Sequence, residues 1–493
     1  MRTRFPPSPT GFLHVGSLRT ALMNHLLSKQ TKGSFLMRIE DTDRERLVPG
    51  AVENMLKGLA WAGIIPDEGV MLDKNGEVIQ KGTHGPYFQS ERLDLYRKYA
   101  DELVAKGHAY HCFCTPERLA EMRKDQEARK QAPMYDRLCL KLSKAEVEAK
   151  LGSGDATVSE RHVIRMKVPH EKTITFNDDI RGDMRFQGHT VDDQVLLKGD
   201  GFPTYHLAHV VDDHLMETDL VIRGEEWLSS LPKHLLLFEW LGWTPPRYAH
   251  VPLLLSKDRK KLSKRDGDVA VEEYITKGYL PEVMVNFLAL LGWNPGTTQE
   301  LFTMEELIEQ FSLERVQKAG AIFDPEKLDW LQGQWMRKIP VKEFAARILP
   351  TVAEKFPAAN SDHDFTKKAA LIQERITFFH EAPEMLKWFY EEPHVSVELL
   401  ANEKQKVTAA QLPEIFDALT KILTDVSEKE WTAEGIKTAV MGNLGSFKQG
   451  QLLWPLRAAL TGLPYSPGAF EVAEALGREK AMERLKAAVA IIS

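Results

Sequence analysis

A doubly wound parallel α/β sheet, split by an inserted α+β segment and followed by a helical second half, is the fold this sequence predicts, on three observations. Strand-like and helix-like apolar patterns alternate over the first part of the chain. A Pro/Gly loop, Ser8-Pro-Thr-Gly-Phe-Leu-His-Val-Gly-Ser17, runs straight into a helical repeat. Beyond position 270 apolar residues recur mainly at helical spacing.

The chain opens with an extended Arg2–Phe5, and after the loop Leu18, Ala21, Leu22, His25 and Leu26 repeat at helical spacing, so the loop feeds a helix N-terminus. In such sheets ligands bind beyond the carboxyl ends of strands, where this loop falls. Gly16 lets the backbone approach a ligand, first-turn amides attract phosphate-like oxygens, and His14 adds a side-chain donor. Ser34–Ile39 reads as a strand and Ala51–Trp61 as a helix. After Ser90, an amphipathic helix to Lys106, a strand over His108–Phe113 and a polar helix from Pro116 begin an insertion that extends to Asp193. Strand-like runs resume at Gln194–Leu197 and Leu220–Arg223. Six of nine residues are basic in Lys257–Arg265, a density that repels itself unless it is solvated or faces phosphate.

The longest apolar stretch, Val283–Trp293, contains Asn286 and is too short to span a bilayer, so it reads as a buried helix and no membrane role is expected. Glu305–Phe311, Val341–Ile348, Lys367–Phe379 and Ala410–Leu423 continue the helical pattern, without internal repeat or low-complexity tract.

A length of 493 residues suits several compact units with ample core. Lys and Arg number 64 against 71 Asp and Glu, a net charge of -7, which excludes a bulk polycation and leaves any RNA contact to local basic patches. The first residues lack a secretory apolar core, so a cytoplasmic protein is expected. Three cysteines, Cys112, Cys114 and Cys139, argue against a disulfide framework and for reduced thiols or a metal site.

The His14 loop paired with Lys261-Leu-Ser-Lys-Arg265 resembles the two motifs with which class I aminoacyl-tRNA synthetases hold ATP, His-Ile-Gly-His and Lys-Met-Ser-Lys-Ser. Further matches over nearly the whole chain are similar to bacterial glutamyl-tRNA synthetases. The resemblance implies a Rossmann-type catalytic domain (1–85 and 194–250) completed by the 194–197 and 220–223 strands, and an inserted acceptor-end-binding domain (86–193). It also implies a stem-contact domain carrying the lysine loop (251–335) and helical anticodon-binding domains (336–395 and 396–493).

It implies, too, that His14, Lys261 and Lys264 are catalytic, and that Thr10, Gly16, Ser17 and Ser263 join them around ATP, which enters with Mg²⁺. Ser17 stands where many relatives place a second histidine, which shifts expected charge stabilisation onto Lys264. Glutamate is expected to meet Arg4 and Arg223, because a desolvated carboxylate must be paired, with Glu40 on its α-ammonium and Ser8, Tyr205 and His209 around it. Without the motifs, Arg4 and Arg223 read as surface ion-pair formers, Glu40 as a turn cap and Tyr205 as packing.

At His209 some relatives have asparagine. Arg375, Trp454 and Arg457 are the expected tRNA contacts, with an ordinary exposed helix arginine the plainer reading of Arg375. Zinc on Cys112, Cys114, Cys139 and Tyr135 is possible by resemblance, but reduced structural thiols are favoured, since Lys141 stands where some relatives have a fourth ligand, histidine.

The implied activity is formation of glutamyl-adenylate from ATP and L-glutamate, then transfer to the terminal ribose of tRNA(Glu) by a monomer. The alternatives are a glutaminyl enzyme and a non-catalytic tRNA-binding paralogue. The glutaminyl enzymes lack the arginine at position 223 and build their anticodon region from β-barrels, whereas this second half reads helical.

Overall fold

A computed structural model describes residues 1–152, 162–262 and 269–492, in two compact units, Met1–Pro325 and Glu326–Ser493. In the first unit, β1 (Arg2–Phe5), α1 (Val15–Gln30), β2 (Ser34–Met37) and α2 (Ala51–Trp61) come in the order the apolar pattern predicts, followed by β3 (Glu68–Leu72) and β4 (Val78–Lys81), which that pattern does not single out. An insertion follows: α3 (Leu93–Ala105), β5 (Ala109–Cys112), α4 (Pro116–Ala128), α5 (Lys144–Leu151), β6 (Val163–Met166), the hairpin β7 (Thr173–Asp178) and β8 (Gly182–Gln187), and β9 (Val195–Leu197). Next come α6 (Tyr205–Leu215), β10 (Leu220–Gly224), α7 (Leu231–Leu241), β11 (Arg247–Val251) and β12 (Leu254–Leu255). The unit ends with α8 (Val271–Lys277), α9 (Pro281–Leu290), α10 (Met304–Gln310) and β13 (Ala321–Ile322).

The main sheet runs β11-β10-β1-β2-β3-β4, parallel except for β4 at its edge. Its central strand β1 is flanked by β2 and β10, the doubly wound arrangement that opens a crevice at the strand ends. Helix α1 packs against β1, β2 and β10 on one side and α9 and α10 on the other. It is accordingly buried almost all round, with Val15, Leu18, Ala21, Leu22, Met23 and Leu26 enclosed together with the polar Arg19, Asn24, His25 and Ser28. Gly69 in β3 has φ +109°, and a Cβ there would overlap the Met37 carbonyl of β2, so glycine alone permits this strand approach. As expected, Val283–Trp293 is mostly a buried helix, with Asn286 bonded to the backbone of Glu300 and Phe302.

One strand departs from expectation. Val195–Leu197 pairs with β6 in the insertion's own sheet, β5-β6-β9, and does not complete the main sheet. A run of three apolar residues satisfies any buried sheet, and only tertiary pairing selects which.

The second unit is helical. Val341–Lys355, Phe365–Gln373 and Ala382–Tyr390 pack together, and Leu412–Thr424, Ala433–Gly442, Gln449–Thr461, Ala469–Leu476 and Arg478–Ile492 form a further group. Arg484 is 2% exposed and donates to the Leu460 and Glu391 carbonyls, so its guanidinium closes backbone groups that helix ends leave open. No helix among the described residues is long and apolar enough to cross a membrane.

The first unit buries a knot of charge on α6. Asp212 accepts from Arg92 Nε (2.8 Å), Gln89 Nε2 (2.8 Å) and the Tyr96 hydroxyl (2.9 Å), and Arg38 Nε lies 3.6 Å away. Asp213 accepts from Arg38 Nη1 (2.8 Å) and Arg4 Nε (3.2 Å). Both carboxylates are 1% exposed or less, so removing one strands buried cations. Asp212→Ala is expected to cost about 3–5 kcal/mol in urea denaturation monitored by tryptophan fluorescence. A loss within about 0.5 kcal/mol, typical of surface substitutions, would show that the knot carries little stability.

Candidate active site

The crevice at the carboxyl ends of β1 and β10 is a cavity of about 460 Å³. Arg4, Ser8, His14, Gly16 and Ser17 line it from the β1 side, and Glu40, Tyr205, Arg223 and Lys261 from the others.

His14 is the N-cap of α1: its backbone is extended (φ −96°, ψ 147°) and Nδ1 accepts the Gly16 N–H at 2.9 Å. An accepting Nδ1 puts the ring proton on Nε2, which makes His14 the donor that the loop predicted. The Gly16 amide is therefore taken by the cap and is not open to an anion. A Cβ at Gly16 would sit 3.2 Å from that Nδ1, so glycine keeps the capped ring in place.

The lysine segment closes a hairpin: Ser256 N–H donates to Lys260 O (2.8 Å) and Leu262 N–H to Leu254 O (2.9 Å). Past the residues not described, Val15 N–H donates to Val269 O and Val271 N–H to Leu13 O, both at 2.9 Å. The two distant motifs are thus joined by backbone hydrogen bonds on the far flank of the lysine loop, while its near flank is held to the strand that precedes it. Ser263 and Lys264 lie outside the described residues.

Arg4 leaves the end of β1 almost fully buried. Its Nε is held by Asp213, and its Nη1 has no hydrogen-bond partner among the described residues. Glu40 bonds Arg38 Nη2 at 3.1 Å, and its carboxyl is pushed up to about 7 by burial, against the opposing pull of Arg38.

Arg223 differs from Arg4: no carboxylate lies within ion-pair distance of it among the described residues. Its partners are neutral: His250 Nε2 (2.9 Å), the Tyr205 hydroxyl (3.0 Å), His234 Nδ1 (3.2 Å) and His209 Nε2 (3.5 Å). Burial, followed by the nearby cations and imidazoles, holds His209 and His234 well below the usual histidine range, and burial brings His206 down to about 3. The guanidinium therefore stands at the cavity wall with its charge uncompensated.

Two expected contacts fall elsewhere. His209 is fully enclosed, stacked on Tyr205 (5.2 Å between ring centres) and 3.1 Å from Asp213; it stands behind Arg4 and Arg223 and does not line the cavity. A longer side chain than asparagine fills the space between those arginines and α6. Thr10 sits on the loop but off the cavity wall.

Sequence reasoning missed Arg19, Thr20, Glu226 and Trp227, which also face the cavity. Arg19, 3% exposed, donates to the Leu291 and Pro252 carbonyls, and burial brings it down to about 10. A cation inside an apolar helix was the available signal. His234 and His250 had none, since they join the site from separate elements.

In the insertion, the Cys112, Cys114 and Cys139 sulfurs lie within 4.8 Å of one another. The Tyr135 hydroxyl is 3.4 Å from Cys112 Sγ and 3.2 Å from Cys114 Sγ, so three soft donors and one oxygen converge as a four-coordinate zinc requires. In the second unit, Arg457 lies 4.8 Å over the Trp454 ring, whose indole N–H is committed to the Leu399 carbonyl. Arg375 is exposed and near enough to Arg457 to depress it, after burial.

Residues 1–330 match the catalytic domain of class I tRNA synthetases (E and Q), and residues 343–489 match an anticodon binding domain. A glutamate–tRNA ligase of Chlorobium phaeovibrioides is 44% identical, the match covering 100% of this chain and 95% of that one. A glutamate–tRNA ligase of Clostridioides difficile is also 44% identical, over 98% of each. The crystal structure of a glutamate tRNA ligase from Elizabethkingia meningosepticum, in complex with its amino acid, superposes with a TM-score of 0.86 at 35% identity over 100% of both chains. A histidine-capped crevice laced to a lysine loop, matched over the full length of such relatives, settles the kinship: the chain belongs to the glutamate–tRNA ligases among the class I tRNA synthetases.

Proposed function

We propose that the crevice activates L-glutamate with ATP and passes the glutamyl group to the 3′-terminal ribose of tRNA(Glu). The observation that carries the reading is Arg223, a cation at the cavity wall ringed by neutral partners. A substrate side-chain carboxylate pairs with it, whereas an amide gains much less. Arg4 Nη1 supplies a further buried donor, Ser8 and Tyr205 line the pocket, and Glu40 receives the α-ammonium. His209 acts through the arginines that it supports.

Activation needs no covalent nucleophile: the glutamate α-carboxylate attacks the α-phosphorus of ATP, supplied as its Mg²⁺ complex, and pyrophosphate leaves. The work is positioning and charge stabilisation. His14 Nε2–H donates to phosphate, Ser17 and Gly16 border the nucleotide with Thr10 supporting the loop, and Lys261, Ser263 and Lys264 serve the leaving phosphates. Arg375, Trp454 and Arg457 are proposed to meet the anticodon. The domain partition expected from the sequence, with its acceptor-end, stem and anticodon roles, belongs to this reading, as do a monomer and a cytoplasmic location.

ATP–pyrophosphate exchange, run with glutamate or glutamine and with or without tRNA, tests it. Exchange with glutamate is expected, and exchange with glutamine alone would overturn the substrate assignment. Lys264→Ala is expected to lower the rate roughly 10²–10³-fold with an unchanged melting temperature; undiminished exchange would remove its role.

The Glu40 carboxylate that pairs with an ammonium is present above about 7 and lost below it. The KM for glutamate is therefore expected to rise as pH falls from about 8 to about 6, and Glu40→Gln should flatten that profile at a high KM. A variant that keeps the wild-type profile would assign the titration elsewhere.

The converging donors of the insertion support a zinc ion held by Cys112, Cys114 and Cys139 with Tyr135 as the fourth ligand, over reduced thiols. There it would act structurally, tying α4 and the loop to Cys139 onto β5. Metal analysis of protein purified without chelators is expected to give one zinc per chain, and Cys114→Ser to lower it. Metal-free wild type would return the cluster to plain thiols.

A further inference from the structure

We propose that His250 and Asp178 are positioning residues for Arg223, a carboxylate–imidazole–guanidinium relay that grips the arginine by its Nε edge without compensating its charge. The inference rests on the glutamate reading and deepens it by naming what sets acid-over-amide preference.

The relay begins in strand register. Arg223 and His250 are Cα partners in the parallel ladder of β10 and β11, so their side chains leave the same face. His250 Nε2 lies 2.9 Å from Arg223 Nε, and its Nδ1 lies 2.6 Å from Asp178 Oδ2. A guanidinium Nε–H only donates, so Nε2 must be the unprotonated acceptor and the ring proton sits on Nδ1, donated to Asp178. Asp178 is itself fixed: Oδ1 accepts the amides of Ile180 (3.0 Å), Arg181 (2.9 Å) and His250 (3.2 Å). It ends strand β7, so the insertion's hairpin braces the crevice from behind.

An imidazole at this place has a consequence that a carboxylate would not. A carboxylate bonded directly to Arg223 would orient it equally well but neutralise it, and a neutralised guanidinium distinguishes an acid from an amide poorly. The neutral ring accepts the same bond and keeps the Asp178 charge one ring's width away. Both His250 and Asp178 are 1% exposed or less, and burial holds His250 below the usual histidine range despite Asp178, in keeping with a neutral ring. Among the described residues the other contacts of Arg223 are the Nη1 bonds to Tyr205, His234 and His209, a 3.5 Å approach of Nη2 to the Trp227 carbonyl and the face of Tyr248, 5.0 Å from the guanidinium; none brings negative charge.

Steady-state exchange kinetics of three variants test the relay. His250→Leu is expected to raise the KM for glutamate roughly tenfold, with a smaller change in kcat and none in the KM for ATP. His250→Gln, which restores a neutral acceptor, should recover most of that loss. His250→Glu keeps an acceptor but adds charge, and should erode the preference for glutamate over glutamine roughly tenfold. Unchanged glutamate KM in His250→Leu, equal losses toward ATP and glutamate, or an intact preference in His250→Glu would each overturn the proposal.

A second measurement does not depend on the substrate. In wild-type protein with ¹⁵N-labelled histidine, the resonances lost in His250→Gln should report the neutral Nδ1–H tautomer at neutral pH. An Nε2–H tautomer or an imidazolium there overturns the relay whatever the substrate. Wild type that fails to exchange with glutamate while showing the Nδ1–H tautomer overturns the glutamate reading alone.

Discussion

Asp212 and Asp213 on one turn of α6 draw three buried guanidiniums together: Arg4 from the end of β1, Arg38 from beyond β2, and Arg92 from the approach to α3. None of these segments could bury its arginine alone, because an unpaired buried cation costs several kcal/mol. The knot therefore couples the sheet, the start of the insertion and α6 into one arrangement. Its contribution is geometric more than energetic, since a buried ion pair roughly breaks even against apolar packing. What it secures is the direction of the Arg4 side chain, whose Nη1 is left over when Asp213 has taken Nε.

The crevice then contains two arginines in opposite electrostatic settings. Arg4 is compensated by Asp213, whereas Arg223 is enclosed by rings and hydroxyls that carry no charge. Low polarity around a cation strengthens its attraction for an incoming anion, provided nothing anionic is already there. Four histidines in one small region would ordinarily suggest metal ligation or proton transfer. Here burial keeps His206, His209 and His234 far from protonation, and His209, His234 and His250 serve as neutral acceptors for Arg223 while His206 bonds His234.

The nucleotide side is organised differently, by main chain. The histidine loop and the lysine segment are remote in sequence, yet backbone bonds through Val15, Val269, Val271 and Leu13 join them on one flank, while the Leu254–Leu262 hairpin anchors the other flank to its own strand. Main-chain lacing of this kind tolerates side-chain change, which fits a motif in which Ser17 replaces the second imidazole of many relatives. It also explains why His14 can spend one nitrogen on the helix cap: the ring's orientation is fixed by the same Gly16 amide that a ligand would otherwise have used.

Much of this was legible in the chain. The helix at Ala51–Trp61, the extended Arg2–Phe5 and the helical second half follow from apolar periodicity, because a 3.6- or 2-residue repeat reports burial directly. The motif residues and the arginines at positions 4 and 223 followed from resemblance. What only the tertiary structure decided has a common cause: each case depends on which distant partner a residue meets. Val195–Leu197 joined the insertion's sheet, His209 moved behind the arginines, and Asp178 and His250 aligned behind Arg223. Local pattern specifies whether a residue is buried, but the identity of its neighbour is set by strand register and packing between segments far apart in the sequence.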